Sequence, residues 1–325
     1  IGGLVGTIIP AGLLVVLAIV YLVTGGHSQL DFHGSFFPDL TNFNNLVLAS
    51  SIFLFYAGME MMGIHVMEVD NPKRNYPRAI IIGSLVTVLI FILGTFSLGI
   101  IVPAKDISLT QTLLMGFDSY FKFVKLSWMG PVIAVALVFG VLAGVLTWVA
   151  GPSKGIFTVG RAGYLPPFFQ KTNKQGVQRN ILLVQGGIVT ILGMLFVVMP
   201  SVQSFYQILS QLTVLLYLIM YMLIVASAIK LRYTLPKMER PFRLGAKGNG
   251  LMWLLACLGF CGALLAFVLS FIPPSQIAVG SNAVWYAVLI IGAIIFVVIP
   301  YIIFAMRKPS WKAPDANIEK FEWEK

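Results

Sequence analysis

Phe53-Leu-Phe-Tyr-Ala-Gly-Met-Glu-Met-Met-Gly-Ile-His-Val-Met-Glu-Val-Asp-Asn-Pro-Lys-Arg-Asn-Tyr-Pro-Arg-Ala-Ile80 opens as an apolar run with one acid inside it and closes in a basic, proline-punctuated loop. On either side the chain is emptier of charge still. No Asp, Glu, Lys or Arg occurs from Ile1 to Leu30, from Asn180 to Ile229 or from Gly248 to Met306. Each of the last two intervals has room for two membrane helices of about 20 residues. Of all 325 residues, 58% are hydrophobic and 10% charged, against roughly 25% charged in an ordinary soluble domain. That composition excludes a water-soluble enzyme, a nucleic-acid-binding module and a disordered tail.

Eight apolar stretches are legible, at 3–24, 45–64, 79–102, 129–150, 181–199, 206–229, 250–272 and 283–306. Helices are expected, because in lipid only a helix or a closed barrel satisfies its own backbone, and a barrel would alternate in short segments. Pro200 and Pro273–Pro274 mark turns at span ends. The reading is an all-α polytopic membrane protein with eight transmembrane helices.

Loop charge sets the expected orientation. Of the 22 basic residues, all but Lys105, Lys122 and Lys125 fall after the second, fourth and sixth spans or in the tail. Positive loops stay in the cytoplasm, so both ends of the chain are expected there, in a cell (inner) membrane. The net charge of +10 is then a topology signal, and no nucleic acid is needed to explain it. Ile1 follows no basic n-region or cleavage site, and residue 1 is read as the start of a fragment whose upstream helices are missing.

Glu60 is the only charged residue inside any of the eight stretches. Counted from Asn45, it lies about 22 Å into the membrane, where a carboxylate costs at least ~2.5–3.5 kcal/mol unless paired, protonated or wet. Gly58 and Gly63 beside it weaken a regular helix. A helix interrupted there would present backbone N–H and C=O groups to the ends of a small zwitterion. The plainer reading is that the glycines allow close helix packing while Glu60 caps a broken turn.

Other signals are weaker. Ser210, Thr213, Tyr217 and Tyr221 share one face of the sixth span, which suits either a cavity wall or helix–helix hydrogen bonds. Gly140, Gly144, Thr147 and Gly151 form a small-residue groove beside Trp148, read as close packing. His65, near the inner end of the second span, is a candidate pH sensor or proton carrier with Glu60. Cys257 and Cys261, one helical turn apart, are read as core residues rather than a disulfide or metal pair. His27, Asp31 and His33 are read as solvated loop residues. No catalytic or nucleotide-binding motif occurs, so no enzyme and no cofactor are expected.

Three sets of residues carry a resemblance. They are Phe53–Tyr56 with Gly58-Met59-Glu60; Glu68-Val-Asp-Asn-Pro-Lys-Arg-Asn-Tyr-Pro-Arg-Ala-Ile80; and Trp148-Val-Ala-Gly-Pro-Ser-Lys-Gly155 with Arg161-Ala-Gly-Tyr-Leu-Pro-Pro167 and Asn173-Lys-Gln-Gly-Val177. Together they resemble the amino acid–polyamine–organocation superfamily, and within it the branch of glutamate/GABA antiporters. The resemblance implies a 12-helix transporter on a five-plus-five inverted repeat, of which this chain holds helices 5 to 12. On that reading 1–44 is the first span and an outer loop, 45–230 the second repeat, 231–306 the last two spans and 307–325 a cytoplasmic tail.

The implied function is alternating-access amino-acid transport by exchange, with a proton-coupled symporter or a non-transporting membrane scaffold as the alternatives. The implied substrate contacts are Tyr56, Ala57, Gly58, Met59, Glu60, Trp148, Tyr217 and Tyr221. The implied partners are an amino acid, the bilayer and the missing N-terminal helices. The chain departs from the branch at Gly144, where the antiporters carry a second membrane glutamate, at Val177-Gln178, where most relatives have Val-Pro, and in its short tail. An amino-acid substrate class broader than glutamate follows.

Overall fold

The computed structural model describes residues 2–30, 39, 41–108, 110–198, 201–238, 240, 242–245, 248–274, 281–314 and 316. Pro200, Asp31, His33, Lys247, Lys320 and Lys325 therefore lie outside the described residues. Among those described, helices dominate and no strand forms. In chain order the α-helices are α1 (Ile9–Val23, preceded by a π-turn Leu4–Ile8), α2 (Phe43–Ile52), α3 (Pro72–Ile101), α4 (Thr112–Phe123), α5 (Met129–Val159), α6 (Arg179–Met194), α7 (Val202–Thr234), α8 (Gly250–Leu269) and α9 (Asn282–Ala305).

Among the described residues, six helical segments are long and apolar enough to cross a membrane: Leu4–Val23, Pro72–Ile101, Met129–Tyr164, Val202–Thr234, Gly250–Leu269 and Asn282–Ala305. The two other expected spans take different forms. The stretch 45–64 is broken, running from α2 through the 3-10 turn Phe53–Tyr56 to a 3-10 segment Met59–Glu68. The stretch 181–199 becomes α6 with a 3-10 turn, Leu195–Val198, at its end.

Several helices also outrun their apolar stretches. α3 starts at Pro72, because Asn71 takes a left-handed conformation (φ 47°) and proline fits the first helical position. Lys73, Arg74 and Arg78 thus sit on its first turns rather than in a loop. α5 carries the Gly-Pro-Ser-Lys-Gly run inside the helix and ends in a π-turn at Gly163, whose φ of 95° stops it. Hydropathy reports where lipid lies, whereas the backbone remains helical beyond the hydrocarbon.

α4 was not expected at all. It lies in the segment read as an outer loop, and Phe117, Tyr120 and Phe121 (positions i, i+3 and i+4) bury one face of it. They join Leu14, Leu17, Ile100 and Ile133 in a core shared by α1, α3 and α5. The Tyr120 hydroxyl donates to the Ser97 carbonyl at 2.5 Å. Burial pushes its pKa above the ordinary tyrosine value.

A second core joins α7, α8 and α9 through Ile208, Leu212, Leu215, Trp285 and Leu289, with the Trp285 Nε1–H donating to the Phe271 carbonyl at 2.9 Å. Cys257 and Cys261 are exposed on α8 and unpaired, not core residues. They lie on an apolar face of α8, which tolerates a small soft side chain.

Gly6 and Gly140 bring the start of α1 against α5 in backbone contact, so that a Cβ on either would overlap the other chain segment. Gly151 accepts Met61, and Gly155 accepts Ile64, from the 3-10 segment. The packing expected of the glycine groove is thus present at Gly140 and Gly151, while a Cβ on Gly144 would meet open space.

Beyond α9 the chain folds back. The Gln170 side chain donates to the Gly160 carbonyl at 3.0 Å and to the Trp311 carbonyl at 2.6 Å. The Ala313 N–H donates to the Arg161 carbonyl at 3.1 Å, and Tyr164 stacks on Phe304 with ring centroids 5.9 Å apart. Gln170→Ala removes two bonds worth roughly 0.5–1.5 kcal/mol each. We expect the Ala313 amide to exchange hydrogen about tenfold faster while α5 is unchanged, as read by exchange mass spectrometry.

Candidate substrate site

The break in the second span falls at Ala57–Gly58. Gly58 has φ 112°, a conformation open to glycine and costly for other residues. A Cβ there would come 3.0 Å from Cη2 of Trp148 on α5, so backbone and indole approach as closely as a glycine permits. The break frees the Gly58 N–H from a helical partner, and Glu60 supplies one: its Oε2 accepts from Gly58 N–H at 3.1 Å.

The same oxygen accepts the Tyr221 hydroxyl of α7 at 2.7 Å, and the Gly58 N–H also reaches that hydroxyl at 3.2 Å. Glycine, glutamate and tyrosine thus form a closed three-way bond across two segments 161 residues apart.

Tyr217 stands one turn before Tyr221, their rings 5.8 Å apart, and lies close enough to interact with the Glu60 carboxylate. Its ring meets Trp148 edge-on at 6.1 Å. Glu60 Oε1, by contrast, is buried and has no hydrogen-bond partner among the described residues. The arrangement offers one carboxylate oxygen tied to the fold and one acceptor left for an ammonium group or a proton. Aromatic walls flank it on one side.

Of the residues singled out by sequence, Gly58, Glu60, Trp148, Tyr217 and Tyr221 come together, with Ala57 in the turn itself. Met59 opens the 3-10 segment. Tyr56 stands apart: it and Phe55 pack on Phe91 of α3, at 5.7 and 5.0 Å, lining an apolar cavity of about 790 Å³. His65 lies further along the 3-10 segment, its Nδ1 3.5 Å from Lys154 Nζ of α5.

The four-residue polar face of α7 divides. Tyr217 and Tyr221 reach the site, whereas Thr213 is exposed and its hydroxyl returns to the Leu209 carbonyl at 2.8 Å. Sequence reading passed over Gln207 and Gln211, both buried on α7. Their spacing of four and their place between apolar neighbours are the signal that marks them. Among the described residues, no group of three or more His, Cys, Asp or Glu could hold a metal ion.

The sequence pattern of the family described as "Amino acid permease" matches residues 1–296. The chain belongs to the amino acid permease family. An uncharacterized transporter of Legionella pneumophila is 35% identical over 302 residues, covering 93% of this chain and 65% of its own. Glutamate/γ-aminobutyrate antiporters of two Lactococcus lactis strains are each 32% identical over 315 residues, covering 94% of this chain and 61% of theirs. The chain thus spans less than two thirds of the length of these relatives. They are transporters, not enzymes, and the apolar helices fit a multi-pass membrane protein.

Proposed function

We propose that this permease-family chain is the eight-span portion, helices 5 to 12, of a twelve-helix amino-acid exchanger on a five-plus-five inverted repeat, with both ends of the portion in the cytoplasm. The reading rests on one observation: a helix broken at Gly58, whose N–H is taken up by the Glu60 carboxylate that Tyr221 of α7 also holds. Such a break offers backbone polar groups to a zwitterion at mid-membrane. The substrate's ammonium group would take the free Oε1, with Trp148 and Tyr217 as walls and the remaining contacts supplied by helices preceding residue 1. Alternating access would then move the broken span against α7, opening and closing the Tyr221–Glu60 bond.

The relatives named glutamate/γ-aminobutyrate antiporters support exchange of amino acids as the mode. A proton-coupled symporter is the second reading, favoured by the same Oε1, which has no hydrogen-bond partner among the described residues. Uptake into proteoliposomes of the full-length transporter separates them. Exchange requires amino acid inside the vesicle, whereas symport fills empty vesicles when a proton gradient is imposed. Tyr221→Phe removes a hydrogen bond to a charged group, worth roughly 1.5–3 kcal/mol, and is expected to slow uptake about tenfold or more. Wild-type rates in Tyr221→Phe would exclude the proposed role of the Tyr221–Glu60 bond.

A further inference from the structure

The end of α7 carries a second feature that the substrate site does not use. Leu223, Ile224, Ser227, Lys230, Leu231 and Thr234 recur at helical spacing and define one face over its last three turns. The face is apolar at its start, where Leu223 and Ile224 are exposed, and polar at its end. Ser227, Lys230, Leu231 and Thr234 line a cavity of about 400 Å³.

The sequence that follows is basic. Between Ser227 and Gly250 the sequence has Lys230, Arg232, Lys237, Arg240, Arg243 and Lys247 against Glu239 alone. Arg240 closes the helix by donating to the Leu231 and Leu235 carbonyls, both at 2.9 Å. Arg232 is buried, held by Asn249 Oδ1 at 2.9 Å and the Leu244 carbonyl at 2.7 Å. Arg240 and Arg243 stand near enough to Arg232 for their like charges to oppose it. Among the described residues no carboxylate pairs with any of them.

The height of this cluster in the membrane is marked independently. Tyr233 and Trp253, both exposed, pair across the α7–α8 hairpin through a 2.7 Å bond from the indole N–H to the phenol oxygen. Exposed Tyr and Trp of this kind collect at the headgroup level. Lys230 lies one turn deeper on α7, where its stem can follow the helix and its ammonium reach the phosphates.

We propose that this face binds the headgroup of an anionic phospholipid. Its phosphodiester would sit in the cavity on Lys230, Ser227 and Thr234, within the field of Arg240 and Arg243, and an acyl chain would lie along Leu231, Ile224 and Leu223. A basic pocket at the interface suits a lipid phosphate in charge, and the apolar lower half of the same face suits its chain. A free phosphate would use the upper half only.

Native mass spectrometry of the purified protein, offered dioleoylphosphatidylglycerol or dioleoylphosphatidylcholine, tests the site. Wild type is expected to retain the anionic lipid preferentially. Lys230→Gln should lower that retention about fivefold, the value of one basic residue at a charged membrane surface. Lys105→Gln, an equal charge loss elsewhere, should leave it unchanged. Equal retention by Lys230→Gln and wild type would overturn the site. Displacement of the lipid by millimolar inorganic phosphate would overturn the lipid as its occupant.

Discussion

Gly58→Ala is expected to cut amino-acid uptake about a hundredfold while leaving a monodisperse, helical protein. At φ 112° a Cβ is strained by roughly 1–3 kcal/mol, and here it would also stand 3.0 Å from the Trp148 ring. Two responses are open to the chain, and both damage the site. If the backbone rotates toward a permitted φ, the Gly58 N–H swings away from Glu60 Oε2 and the Tyr221 hydroxyl. If the indole yields instead, its edge-on contact with Tyr217 is lost. The first response gives up both contacts of the Gly58 N–H, at roughly 1–1.5 kcal/mol each, which together approach about 2.7 kcal/mol, a hundredfold in rate. Proteoliposome uptake reads the loss, and circular dichroism with size-exclusion chromatography reads the fold. Normal uptake by Gly58→Ala would remove the break from the transport mechanism.

The largest effect on stability is expected at Gly140. Leucine there would drive a side chain into the backbone of Gly6, and neither partner can give way as a flexible side chain would. α1 and α5 must separate, and the packing between them, which seats the Leu14 and Ile133 core, opens with them. Overpacking against rigid neighbours costs typically 1–3 kcal/mol and occasionally more; this contact belongs at the top of that range, about 3 kcal/mol. Gly144→Leu, one turn away in open space, is the matched control and should change stability by less than about 0.5 kcal/mol. Thermal unfolding in detergent compares them, and equal melting points would refute the close-packing assignment.

The difference between those two glycines was not legible in the sequence, where both belong to one groove. Sequence spacing says which residues share a helix face; it does not say what lies opposite. The same limit explains Thr213 and Tyr56. Thr213 has the right spacing for the site, yet its hydroxyl is short enough to bond its own helix. Tyr56 precedes the break, and the turn at Ala57–Gly58 sends it to α3 while Glu60 goes to α7.

What could be read was whatever the bilayer enforces. A lone carboxylate in an apolar run must find a partner, and long charge-free stretches must cross or pack. Glu60 with its flanking glycine was therefore visible, as were most of the helices. α4 was hidden because its amphipathic face meets protein in a segment where loop charge was the stronger signal.

The contact between the 3-10 segment and α5 has a consequence for how that span can move. Met61 and Ile64 are three residues apart and seat on Gly151 and Gly155, which are four apart. A 3-10 helix rises ~2.0 Å per residue and an α-helix 1.5 Å, so both intervals measure about 6.0 Å. The two helices mesh like gears of unequal tooth number and equal pitch. Rewinding Met59–Glu68 into an α-helix would shorten the Met61-to-Ile64 interval to about 4.5 Å and turn the two side chains about 60° apart. Only one of the two glycine seats could then stay filled. A change of winding in this segment would therefore have to be accompanied by a shift of the segment along α5.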